Sequence, residues 1–402
     1  TNNGGTIPAN TNLVPYLTLN SADSDEASFT VPSGMEFPDG NNQLSARVKD
    51  TLGNTSSLVS FSFDVTAVSD GYRPFETVVN ASQVWNLVFT RDLYTLTASG
   101  TTSISVTAQQ LANGTADFDE DMILYGLACS TPIAVSGTAY DSNQFVKAQL
   151  IAAIKTELNT NIFPGVNITF TEIDQGAIPG NGAQVDYNSF SHSQLAIGGD
   201  SDVGALGVAF VDRGNANQDN DVLYNGASPY NPGLHLGIFT TRLFKFEVNG
   251  SSYGSFRQAF DTFIPGRGTP VGLGSNDASI LMDLAGTGPA VSGGAATRRD
   301  KIEVAITKLA RFIAVVSSHE MGHSMGLSVN NAMPNGLYGG DSTNFPGSDS
   351  NHLNLSSFPA LFSIPAVNIM IPATNFWLTN ATGTRFNMLN MAYLREKTYY
   401  NR

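Results

Sequence analysis

Apolar and polar residues alternate over much of the first third of the chain, the pattern of strands with one buried face. Short strands are predicted at Leu13 to Leu19 and Ala27 to Val31. Leu44, Ala46 and Val48 alternate with polar residues, and Leu58 to Val65 repeats the pattern. Pro38-Asp39-Gly40 predicts a turn, because proline presets φ and glycine accepts positive φ; Leu52-Gly53-Asn54 predicts the next. Ala67 to Pro74 reads as a linker, and further strands follow at Val84 to Thr90, Leu93 to Thr97 and Thr102 to Thr107.

The period then lengthens. Val146, Leu150, Ile154 and Leu158 recur at steps of four and predict a helix over 143–159, ended by Pro164-Gly165. Strands are expected at Val166 to Thr171, Leu195 to Gly198, Leu206 to Val211 and Gly237 to Val248, the third a nearly continuous apolar run suited to a buried position. Phe256 to Phe263 suggests a short helix within a Gly-, Ser- and Pro-rich stretch over 249–299. Ile302, Ile306, Leu309, Ile313 and Val316 form one helical stripe, with Asp300 expected in the first turn, where it suits the positive end of the helix dipole. Thr384 to Tyr399 reads as a closing helix with Phe386, Leu389 and Tyr393 inward. Strands followed by helices predict an α+β fold.

The helical stripe runs into His319-Glu320-Met321-Gly322-His323. Residues four apart share a helix face, so His319 and His323 aim two ring nitrogens at one point, and Glu320 stands where it can reach a metal-bound water. Gly326 can end the helix with positive φ. Zinc is the expected ion. A catalytic zinc takes a third protein ligand, which must come from elsewhere in the chain. His352 is the only histidine after the motif, with Asp341 and Asp349 as alternatives. His192 and His235 lack metal spacing and read as structural; His235 could also line a substrate cleft if the strand after it is a sheet edge.

Composition narrows the function classes. A length of 402 residues suggests about two or three domains. A net charge of −14 argues against nucleic acid as a partner. Only 13% of residues are charged, and Gly, Asn, Ser and Thr are abundant, which suggests an extracellular or cell-surface protein. Cys129, the single cysteine, has apolar neighbours and is expected to be a buried thiol. No apolar run is long enough to span a membrane. The chain starts at Thr1 without a signal peptide, which is read as a leader or further domains either removed or never included. Asp117, Asp119 and Asp121 alternate around Glu120 in what reads as a loop, a pattern that can supply calcium ligands. Met122 replaces the glycine an EF-hand loop needs, and a solvated acidic turn is the plainer account; the polar run Asp212 to Asp221 has the same two readings.

Two stretches resemble known families. Asp39-Gly40 followed by Asp50, Gly53 and Asn54 resembles about half of a bacterial Ig-like module, which implies a β-sandwich-like segment over 1–70; a generic pair of β-hairpins is the alternative. His319-Glu320-x-x-His323-x-x-Gly326 resembles the metzincin clan of zinc endopeptidases, in its matrixin-like bacterial secreted form. Asn368-Ile369-Met370-Ile371-Pro372 is similar to that clan's Met-turn, which underlies the zinc ligands. Val329 stands where the clan has its third histidine. The clan's chain order, with the third ligand between helix and Met-turn, implies His352 in that role and an insertion over 330–351. The resemblance implies a catalytic domain over 71–402 with a mixed twisted sheet, an active-site helix and a C-terminal helix. It implies hydrolysis of protein or peptide substrates with zinc on His319, His323 and His352 and Glu320 as general base. The alternative is a surface structural or adhesive protein that keeps the fold with little or no activity.

Overall fold

The alternating segments at the start of the chain form antiparallel hairpins. The computed structural model describes residues 17–19, 27–29, 40–50, 52–65, 82–172, 178–179, 193–212, 215, 227–228, 231–250, 255–328, 352, 367–371, 374–381 and 383–400. Strand β1 (Leu17–Leu19) pairs with β2 (Ala27–Phe29), and β3 (Gly40–Ala46) with β4 (Val59–Val65). In the second hairpin Leu44 is registered against Phe61, Ser45 against Ser60 and Ala46 against Val59. The expected turn at Gly53 forms: the Asp50 carboxylate accepts the Leu52 and Asn54 N–H groups, and Gly53 takes a φ of 95°. Val59 and Phe61 are exposed, so β4 is less covered than its alternation suggests. The linker expected at 67–74 lies outside the described residues.

The main sheet is built on β5 (Gln83–Val88), followed by β6 (Arg91–Asp92) and the hairpin of β7 (Thr95–Ser99) and β8 (Ser105–Gln109). Helices α1 (Asp117–Tyr125) and α2 (Ser142–Thr156) come next. Asp141 and Gln144 close a capping box at the start of α2, and a π-helical turn, Glu157–Ile162, prolongs it. Val146, Leu150, Ile154 and Leu158 are all fully buried, as their period requires. Strand β9 (Ile168–Thr171) lies parallel to β5, β10 (Ile178–Pro179) parallel to β6, and β11 (Ser193–Ala196) parallel to β5 on its other side. Parallel strands need crossover connections, and α2 provides one between β5 and β9.

The chain then adds β12 (Gly207–Val208), the pair β13 (Ala227–Ser228) and β14 (Asn231–His235), and β15 (Gly237–Ile238). A parallel bridge from Ile197 to Ile238 joins β15 to the sheet, and β12 pairs antiparallel with β15. The sheet therefore runs β9-β5-β11-β15-β12, with β12 outermost among the described residues. This corrects two expectations. The Leu206 to Val211 run is a mostly half-buried outer segment with only two strand residues, because it lies at the outer side of the sheet, where β12 meets α6 and Val211 is exposed. The strand after His235 is interior, not an edge.

Helices dominate the remainder: α3 (Thr240–Glu247), α4 (Ser255–Phe260), α5 (Asp277–Leu284) and α6 (Gly293–Ser324). The strand expected over 237–248 ends at Ile238, since Thr240, Leu243 and Phe244 bury at helical spacing. Helix α6 starts at Gly293, so Asp300 lies about two turns into the helix and not in its first turn. All five residues of the predicted stripe are buried, and α6 packs on α2 and α5. Strand β16 (Val367–Asn368), helix α7 (Phe376–Thr379), strand β17 (Thr384–Arg385) and helix α8 (Met388–Tyr400) close the chain. The closing helix is thus shorter than expected, because Thr384 and Arg385 pair with β16; Phe386, Leu389 and Tyr393 are nevertheless buried. Phe376 meets Phe256 edge-on at 5.3 Å, which anchors the segment after β16 to the core. The described fold is mixed α and β with small sheets.

The acidic run Asp117 to Asp121 is helical, contrary to the loop expected. Its charges stabilise a helix N-terminus, and helical spacing sends the three aspartates to different partners. Asp119 pairs with Lys147 at 2.6 Å. Asp117 accepts the Leu93 and Tyr94 N–H groups and lies 3.7 Å from the buried Arg91. Asp121 accepts from Gly199 N–H at 2.8 Å and from the hydroxyls of Thr240 and Thr241. Burial pushes the Asp121 carboxyl up to about 8 and Asp117 to about 6, with Arg91 opposing the second shift. Both folded-state values lie above the unfolded ones. Between pH about 4 and 8 the folded chain therefore holds a proton on Asp121 that the unfolded chain has lost, and stability falls as pH rises. Asp121→Asn is expected to flatten that decline in a series of thermal melts; an unchanged pH slope would exclude Asp121 as its source.

Candidate metal centre

Three histidines converge beside the outer edge of the sheet. Helix α6 supplies His319 and His323 from successive turns, and His352 comes from the segment beyond it. One ring nitrogen of each lies within 4.8 Å of the others. The ring centroids form a near-equilateral triangle with sides of 4.9, 5.0 and 4.8 Å. The Nε2 atoms of His319 and His323 are 3.2 Å apart.

Their outer nitrogens are held. His319 Nδ1 lies 2.7 Å from the Ile369 carbonyl, an acceptor, so Nδ1 carries the proton and Nε2 presents a lone pair to the cluster. His323 Nδ1 is 3.0 Å from Ser328 Oγ, and donation to that oxygen leaves His323 Nε2 in the same state. Burial holds the His319 imidazolium down to about 4, opposed by the Ile369 bond and assisted by His352. The ring is therefore neutral at pH 7, the form that binds metal.

Glu320 is buried next to His319, and burial pushes its carboxyl up to about 8. Beneath the helix lies the turn after β16, where Ile371 N–H donates to Asn368 O and Met370 is fully buried. Gly322 lets Met370 in: a Cβ on it would stand 2.6 Å from the methionine sulfur. The helix ends as expected near Gly326, which takes a φ of 96°. Leu327 N–H donates to Gly322 O, which turns the chain so that Ser328 reaches back to His323.

The structure thus brings His319, Glu320, His323 and His352 together. It gives His235 a different setting: its Nδ1 lies 2.5 Å from Asp202, and Gln110 covers the ring. Cys129 is buried, as expected. His192, Val329, Asp341, Asp349 and most of the polar run 212–221 lie outside the described residues. Sequence reasoning missed Ser328 and Gly322. Ser328 carries no signal of its own. Gly322 does, since a glycine inside a helix costs about 1 kcal/mol against alanine and implies a packing reason. Among the described residues no helix is long and apolar enough to cross a membrane. No protein-family model, curated protein or solved structure matches this chain.

Proposed function

We propose that the chain is a zinc-dependent endopeptidase related to the metzincins, and that it acts outside the cell or at its surface. The observation that carries the reading is the convergence of three imidazoles on one point with a buried glutamate beside them. The His319–His323 pair supports zinc: two nitrogens each about 2.05 Å from a tetrahedral ion stand about 3.3 Å apart, against 3.2 Å between their Nε2 atoms, and the His352 nitrogen lies within 4.8 Å of both. Further support comes from the buried methionine under the ligands and the antiparallel outer strand beside them. Residues 71–402 are assigned to this domain and 1–70 to an Ig-like segment, the latter supported by the β3–β4 hairpin.

His319, His323 and His352 would hold the ion. Bound zinc supplies a Lewis acid for the scissile carbonyl and lowers the pKa of water toward neutrality. Glu320 takes a proton from the attacking water and returns it to the nitrogen of the leaving amine. Its ionised form, which a base needs, would be favoured by the charge of an ion held on the adjacent neutral histidines. Ile369 and Ser328 fix the histidine tautomers. A peptide laid along β12 would add a strand through backbone hydrogen bonds, which suits a substrate recognised by shape more than by sequence.

The test is metal content by elemental analysis together with cleavage of a peptide library. One zinc per chain with cleavage supports the reading, and one zinc without cleavage favours a surface protein that keeps the fold. Ser328→Ala is expected to weaken zinc binding about 10- to 100-fold in chelator competition; unchanged affinity would remove Ser328 from the site.

A further inference from the structure

We propose that Gly207 is a positioning residue for Glu320: the outer strand lacks a side chain there so that its backbone can lie against the glutamate and fix the direction of its carboxylate. The role of Glu320 as base rests on the endopeptidase reading; the contact does not.

A Cβ built on Gly207 would stand 2.5 Å from Glu320 Oε1, 2.6 Å from Cγ and 2.8 Å from Cδ. All are shorter than real Cβ contacts allow, so strand or glutamate must move to admit even a methyl group. The strand is fixed on several sides. Gly207 is registered against Ile238 in β15, and Phe239 N–H donates to Leu206 O at 2.9 Å. Ser324 Oγ–H donates to Phe210 O at 2.8 Å, and Asp212 N–H donates to His323 O at 3.2 Å, which tie the segment after β12 to the end of α6. Glu320 is the softer partner. Among the described residues no hydrogen bond or ion pair holds its carboxylate, so packing sets its rotamer, and the Gly207 backbone is the wall it packs on. A glycine inside a strand gives up packing and chain entropy, and it often marks such a close approach.

Gly207→Ala tests this. With zinc content equal to the parent, kcat should fall about 100-fold, the scale of a 1 Å misplacement, while KM stays unchanged. The second readout needs no activity. Gly207→Ala should lower the thermal midpoint in the parent, yet not in a Glu320→Ala background, where Cγ, Cδ and Oε1 are gone. If Gly207→Ala alone fails to fold, recovery in the double variant supports the contact, and failure there overturns it. Parent-like kcat in Gly207→Ala, or an equal thermal loss in both backgrounds, overturns the proposal. A zinc-loaded parent that cleaves no peptide sinks the endopeptidase reading instead, and the thermal comparison still decides whether Gly207 sets Glu320.

Discussion

Glu320→Ala is expected to keep one zinc per chain and to lose peptide hydrolysis by at least about 10³-fold, within the range general-base catalysis contributes. The two effects separate because Glu320 sits beside the ligands without being one of the three clustered histidines. Its burial without a hydrogen bond among the described residues also predicts that the variant folds. A buried carboxyl pushed up to about 8 opposes stability above its unfolded pKa, and removing it relieves that cost at neutral pH. The thermal midpoint of metal-free Glu320→Ala at pH 8 should therefore equal or exceed that of the metal-free parent. Parent-like cleavage by a zinc-loaded Glu320→Ala protein would exclude the mechanism.

His352→Ala should have the opposite profile, with metal and activity lost together. Two helical imidazoles remain, and a site reduced from three ligands to two is expected to bind zinc more than about 100-fold more weakly, beyond what loss of an outer hydrogen bond does. Elemental analysis of parent and variant, dialysed side by side against a weak chelator, reads this directly. Full zinc retention in His352→Ala would move the third ligand elsewhere and leave the triangle of rings as mere packing. His235→Ala is the matched control: that ring is paired with Asp202, so zinc content should not change.

Three of the four clustered residues follow from local periodicity. His319, Glu320 and His323 share a helix whose apolar stripe is visible residue by residue, and the spacing alone puts the two rings on one face. His352 follows from chain order and scarcity, since it is the only histidine after the motif. No period in the sequence brings it to the helix; the cluster does. Gly207 was hidden altogether, because what makes it informative is a side chain more than a hundred positions away pressed against its backbone.

The misread elements share one cause. Asp117 to Asp121 alternates like a metal-binding loop, and Gly237 to Val248 is apolar enough for a strand, yet both contain helices. Short segments satisfy more than one period, and the neighbours that bury them choose between the alternatives. Thr240 and Thr241 show this: their hydroxyls are bound by Asp121, which fixes α3 and α1 against each other. The sequence by itself determined the long helices, the placing of two histidines and a glutamate on α6, and the turns that need glycine, because these depend on interactions within a few residues. The tertiary structure alone decided the order of the sheet, the outer position of β12, the meeting of His352 with the α6 histidines and the packing around Glu320, because each joins residues distant in the chain through contacts that leave no mark on local spacing.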